Sequence, residues 1–256
     1  MNNTKTYFIE YRGYDNHYRV LWHFLFDHLF TLYRIIKTTG GLENGAQIII
    51  RGIQEGKTDT LIHFYKLLSD KPIIKTDESN EKIEADYFLG QVMGSGPWED
   101  QDSKIYLSLS DRPQNLSEQE IDYCYKNFRK RDPLITEELQ SFKQHVLNSL
   151  NIKVDKPEGI LLVKRRNANV YGRQENRAYI NQEEFIEELS SLGFPICDVF
   201  LEDYKPEEEI ELIASHEIVI CPVGSSSSLS MFLPKGGTLI VLFPPDFCYP
   251  LSRIFL

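Results

Sequence analysis

EIVICPVGSSSSLSMFLPKGGTLIVLF occupies residues 217–243 and decides the fold. Its two ends, EIVIC (217–221) and GTLIVLF (237–243), are continuous apolar runs of strand length. Between them stand a glycine, four serines and LSMFL. A serine run behind a glycine has the composition of a flexible linker. Here it is pressed between two apolar segments, so we read strand, serine turn, short helix, strand. A helix joining two short buried strands implies a parallel pair with a right-handed crossover.

The same rhythm extends backwards. GILLVKR (159–165) and FPICDVFL (194–201) are apolar strands. Between them Asn181, with Glu184 three residues on, predicts a capped helix that runs to Leu192 and ends at Gly193. Pro206 opens another helix, with Glu207, Glu208 and Glu209 in its first turn, where the proline and the helix dipole favour them. The order β-α-β-α-β-α-β makes residues 155–256 a Rossmann-like half. DKPEG (155–159), polar and rich in turn formers, marks its boundary with a first domain over 1–154.

That first domain reads as mixed strands and helices. TYFIEYR (6–12) alternates as a strand. From His17 to Lys37 the residues Leu21, Phe24, Leu25, His28, Leu29, Leu32, Ile35 and Ile36 fall on one helical face. QIIIRG (47–52), KPIIK (71–75), IEADYFLGQVM (83–93) and KIYLSLS (104–110) read as strands. Residues 58–70, 117–130 and 136–150 read as helices.

The chain has 256 residues and a net charge of -10, which argues against nucleic-acid binding through a basic surface. Cys124, Cys197, Cys221 and Cys248 have no metal-ligand spacing and read as reduced thiols. No window is apolar enough for a membrane span, and MNNTKTYFIEYRGYDN lacks the pattern of a leader. A cytoplasmic location is expected, in a bacterium or a virus-infected cell.

Ligands of such sheets bind beyond the carboxyl ends of the strands. Two loops lie there. KRRNANVYGRQENR (164–177) carries Lys164, Arg165, Arg166, Arg173 and Arg177 against one acid, Glu175. Guanidinium forks suit a diphosphate. Gly224, Ser225, Ser226 and Ser227 form the second loop, where small side chains let a phosphate approach the backbone N–H groups. A P-loop is disfavoured because no lysine follows the serines, and an NAD-dependent oxidoreductase because GxGxxG is missing. Together the loops predict a bound pyrophosphate, as in a nucleotide sugar.

With these residues in place, the second half resembles glycosyltransferase family 61. The family's arginine-asparagine-glutamate step into a helix has its counterpart in Arg177, Asn181 and Glu183. Its HGAGLTNxxFLPPG stretch matches 223–237, with Val223 in place of the histidine and Val241 where a ribose-holding glutamate falls. In the first half, WHFLFDHLF (22–30) matches HWLxDxLPR through His23 and Asp27.

The resemblance implies a GT-B-like α/β fold, two Rossmann-like halves flanking a cleft, with the acceptor on 1–154 and the nucleotide sugar on 155–256. It implies an inverting transfer of xylose or N-acetylglucosamine, with no essential metal or other cofactor. The donor would be a UDP-sugar and the acceptor a hydroxyl of a glycan or glycoprotein. Asp27 is the expected base, with His23 as partner or substitute. Arg165, Arg166, Arg177 and the amides of Gly224–Ser227 are expected on the diphosphate. Asp100-Gln101-Asp102 follows a loop rather than a strand and reads as a solvated acidic turn, not a metal motif. The alternative is a binder of nucleotide sugars or sugar phosphates that keeps the phosphate site and lacks the base.

Overall fold

The structure is a computed structural model. It describes residues 4–10, 21, 24–51, 59–76, 83–89, 133–154, 156–166, 168–170, 173–175 and 181–243. The fold is mixed α/β with parallel sheets. The chain divides into two compact units, Met1–Ser149 and Leu150–Leu256.

In the first unit, β1 (Lys5–Glu10), β2 (Ala46–Arg51), β3 (Ile74–Thr76) and β4 (Tyr87–Leu89) pair in parallel in the order β3-β2-β1-β4. The segment between β1 and β2 keeps the expected apolar stripe: Leu21, Phe24, Leu25, His28, Leu29, Leu32, Ile35 and Ile36 are all buried. It does so with an unexpected geometry. Phe24–Phe30 is a π-helix, and Thr31–Thr38 (α1) continues it as α-helix. Phe24, Leu25, His28, Leu29 and Phe30 are buried, a wider face than an α-helical stripe presents.

Tyr7 of β1 is wholly buried, and its hydroxyl meets Thr39 Oγ1 at 2.5 Å while Thr39 donates to the Ile35 carbonyl at 2.7 Å. The buried phenol is thereby satisfied, as a core polar group must be. Gly41 opens α2 (Gly41–Asn44), and a Cβ there would overlap the Tyr7 hydroxyl. Residues 59–67 divide into α3 (Asp59–Ile62) and a 3₁₀ turn (His63–Leu67) instead of one helix. Pro133 begins α4 (Pro133–Ser149), three residues ahead of the expected start at 136, as suits a residue with no N–H to contribute. Phe142 of α4 is fully buried against Phe30 and Tyr33, with ring centroids 5.2 and 5.3 Å apart. The strand at 104–110 and the helix at 117–130 lie outside the described residues.

In the second unit, β5 (Ile160–Lys164) is followed by a small antiparallel hairpin, β6 (Ala168–Val170) with β7 (Arg173–Glu175). Next come α5 (Gln182–Ser191), β8 (Ile196–Phe200), α6 (Pro206–Ala214) and β9 (Ile218–Pro222). The serine turn α7 (Ser225–Ser228), a 3₁₀ turn (Leu229–Phe232) and β10 (Thr238–Leu242) complete the unit. The four long strands are parallel, in the order β10-β9-β5-β8. Asn181 stands at the N-cap of α5 but its side chain makes no capping bond.

Gly159 sets the start of β5. Its φ is +74° and a Cβ would stand 2.5 Å from the Pro195 carbonyl oxygen, so only glycine lets the strands converge there. On one face Ile160, Leu162 and Ile220 form a core beneath Phe185, Ile186 and Leu189 of α5. On the other, Leu161, Val163, Val219 and Cys221 are buried as well. Right-handed crossovers put α6 and the 229–232 turn on that second face.

The strand order locates the place where a ligand would enter. From β5 the chain moves outward to β8, then returns across β5 to β9. The reversal falls between β5 and β9, which are hydrogen-bonded neighbours. A crevice outside the carboxyl ends of two such strands is the usual binding position of an open parallel sheet.

Candidate functional site at the carboxyl edge of the second sheet

Lys164 is the last residue of β5, and Arg165 and Arg166 follow it. Pro222 ends β9, and Val223 and Gly224 lead into the serines. The arginine loop and the serine turn therefore leave adjacent strands at the reversal point.

The serines are not a turn ahead of a helix, as the sequence reading had it. They are the helix: Ser225–Ser228 is α-helical and the following LSMF is 3₁₀. Gly224 has φ 142° and ψ -155°, a conformation essentially confined to glycine. Ser227 donates both its backbone N–H (3.1 Å) and its hydroxyl (2.7 Å) to the Gly224 carbonyl. Ser226, 5% exposed, donates its hydroxyl to the Pro222 carbonyl at 3.2 Å. Both hydroxyls thus brace the turn. The amides of Ser225 and Ser226 open it and have no acceptor within it.

Cys221 lies beneath this turn. Burial pushes its thiol up to about 12, against the downward pull of the Ser226 hydrogen bond and of the Arg165 charge. Both Arg165 and Ser226 therefore act on the same sulfur. Residues 161 and 163 of β5 share a face with 219 and 221 of β9, and Arg165 continues that alternation.

Lys164 and Arg166 take the other side. Lys164 is ion-paired with Asp198, and its ammonium stands 4.6 Å from the Phe200 ring centroid. The Arg166 guanidinium lies 4.0 Å from the same centroid and forks onto Asp203 at 2.7 and 2.6 Å, with Glu202 3.6 Å away. The fork holds the Asp203 carboxyl below the usual carboxylate range. Phe200, Glu202 and Asp203 escaped the sequence reading. FLED at a strand end was visible, but nothing in the sequence pairs Arg166 with an acid 37 residues away.

Arg177 and His23 lie outside the described residues. Asp27 falls within the π-helix Phe24–Phe30, its side chain outside the description. His28, beside it, is 8% exposed and stacks on Phe24 with centroids 6.0 Å apart. Asp100 and Asp102 are not among the described residues, and among those that are, no three His, Cys, Asp or Glu side chains converge to hold a metal. No helix among the described residues is long and apolar enough to cross a membrane.

Residues 21–241 match the sequence pattern of the family described as Glycosyltransferase 61. Curated relatives include protein O-linked-mannose beta-1,4-N-acetylglucosaminyltransferase 2 from three vertebrates. The Xenopus tropicalis protein is 24% identical over 230 residues, 88% of this chain and 35% of the relative. That of Canis lupus familiaris is 24% identical over 249 residues, 91% of this chain and 37% of the relative. That of Mus musculus is 28% identical over 90 residues, 33% of this chain and 16% of the relative. The chain thus spans at most 37% of the length of these relatives.

Proposed function

We propose a function from one premise: this chain belongs to glycosyltransferase family 61. It transfers a sugar, xylose or N-acetylglucosamine, from a UDP-sugar to a hydroxyl of a glycan or glycoprotein, with inversion. The relatives' printed name, an N-acetylglucosaminyltransferase, supports the second sugar. The observation that carries the reading is the position of the arginine loop and the Gly224–Ser227 turn at the ends of adjacent strands, β5 and β9, at the reversal of a parallel sheet.

In this reading the diphosphate lies outside β5 and β9. Arg165, Arg166, Arg177 and the amides from Gly224 to Ser227 surround it with positive charge. Such fixed donors stabilise a leaving group as its charge develops, because no reorganisation is needed at the moment of reaction. Asp27 takes the proton of the acceptor hydroxyl, with His23 as its partner or substitute, and positioned bases of this kind contribute about 100- to 10,000-fold. The two halves form a GT-B-like pair, acceptor on 1–154 and donor on 155–256. The arginines and amides carry the leaving-group charge, so this chemistry asks for no metal. Free thiols at Cys197 and Cys221 fit a cytoplasmic location, which imaging of the tagged protein tests.

The test has two stages. Thermal unfolding with UDP, UDP-xylose, UDP-N-acetylglucosamine, GDP-sugars and NAD identifies the ligand. A ligand at 100 times its dissociation constant adds about 2.7 kcal/mol of stability. Release of UDP from the donor that stabilises the protein then shows catalysis. Stabilisation without turnover would instead make the chain a non-catalytic binder, and no shift with any uridine nucleotide would defeat the proposal.

A further inference from the structure

We infer that Arg166 is a positioning residue: forked on Asp203 and laid against Phe200, it anchors the start of the loop after β5 so that Arg165 faces the serine turn and makes the direct phosphate contact. The inference rests on the donor reading above and divides its arginines into two roles.

Alternation carries the argument. Lys164 and Phe200 are register partners and share a face of the sheet, and Lys164 and Arg166 both reach the Phe200 ring, at 4.6 and 4.0 Å, so both lie on that face. The residue between them is turned the other way. On that other side stand Cys221 and Ser226, and the Arg165 charge acts on the Cys221 thiol. The anchor is well built for orientation. A guanidinium can fork a carboxylate and stack on a ring at once, which an ammonium cannot. It is poorly built for stability, because Arg166, Glu202 and Asp203 are about half exposed, and exposed pairs contribute little. An anchor that adds little stability yet engages both the edge and a face of a guanidinium is best explained by what it holds in place. Phe200 ends β8 opposite Lys164, so the anchor ties the loop to the neighbouring strand at the register where both strands stop.

The experiment measures UDP and UMP affinity by calorimetry for the full chain and for variants. Arg165→Gln should weaken UDP binding about 10- to 100-fold, the size of one charge-assisted hydrogen bond. It should also erase the preference for UDP over UMP. Arg166→Gln and Asp203→Asn should each weaken UDP about 3- to 10-fold, and the double variant no more than either single one, since both break one contact. Arg166→Lys should not restore affinity, and exchanging the pair (Arg166→Asp with Asp203→Arg) should. The inference is overturned if Arg166→Gln costs as much as Arg165→Gln while Asp203→Asn binds UDP as well as or better than the parent. Arg166 would then be a phosphate ligand that Asp203 holds back.

If the parent protein binds no UDP, the donor reading fails by itself, and hydrogen exchange decides the anchor. Faster exchange at 164–166 in Arg166→Gln and in Asp203→Asn, reversed in the exchanged pair, supports it. Unchanged exchange in both single variants overturns it.

Discussion

Gly224 and Glu209 are the two residues whose chemistry leads to the sharpest expectations. Gly224 sits where a Cβ is not tolerated, at φ 142° and ψ -155°. Gly224→Ala should cost about 1–3 kcal/mol in urea unfolding. It should also displace the amides of Ser225 and Ser226, weakening UDP binding by more than the stability loss explains. Glu209 is half-buried in the first turn of α6, and burial first and Glu202 second push its carboxyl from 4.5 up to about 8. Between those values the folded protein holds a proton that the unfolded chain has released. The stability this contributes is complete below pH 4.5 and is lost as pH rises through 8. Glu209→Gln mimics the protonated form. It should match the parent at pH 5 and exceed it by about 1–3 kcal/mol at pH 9, a range set below the full 1.4 kcal/mol per pKa unit because the site is partly solvated. Urea unfolding at the two pH values checks it. The sequence marks Gly224 as part of a phosphate-binding turn but not its backbone conformation, and Glu209 is one of three consecutive acids with nothing to set it apart.

Single elements were legible where local chemistry governs them. Pro206 begins α6 as expected, and Glu208 reaches back to accept the Lys205 backbone N–H at 2.7 Å. Glu208→Ala should lower stability by about 0.5–1.5 kcal/mol, read from urea unfolding, as for other lost caps. The apolar stripe of the first long helix was also correct residue by residue, because burial follows hydrophobicity whatever the helix type. Its π geometry was not legible, since the apolar spacing of the segment fits an ordinary α-helical stripe and carries no sign of the wider turn. The serine run failed for a related reason. Serine's low helix propensity argues for a turn, but the hydroxyls of Ser226 and Ser227 fold back onto the Pro222 and Gly224 carbonyls and hold four serines in a helical turn. Asn181 shows the reverse, a residue of ideal type at the N-cap whose side chain makes no capping bond.

Over the whole molecule, two units with separate cores should unfold with separate signatures. Phe142→Ala removes a fully buried ring from the first unit, where it packs against Phe30 and Tyr33. It should destabilise that unit by about 3–5 kcal/mol. Hydrogen exchange should show lost protection in β1 and β2, with β5 and β9 keeping theirs. The sequence by itself determined the succession of strands and helices in the second unit, the parallel character of its sheet, and which loops leave its carboxyl edge. These follow from hydrophobic period, caps and crossover handedness, all of which act over short stretches of chain. Only the tertiary structure decided that β9 returns to lie against β5, that the Arg165 charge acts on the buried Cys221 thiol, and that Arg166 is taken up by Asp203. Strand order is fixed by the packing of distant segments into one sheet, and a guanidinium finds its carboxylate only after that sheet has brought them together.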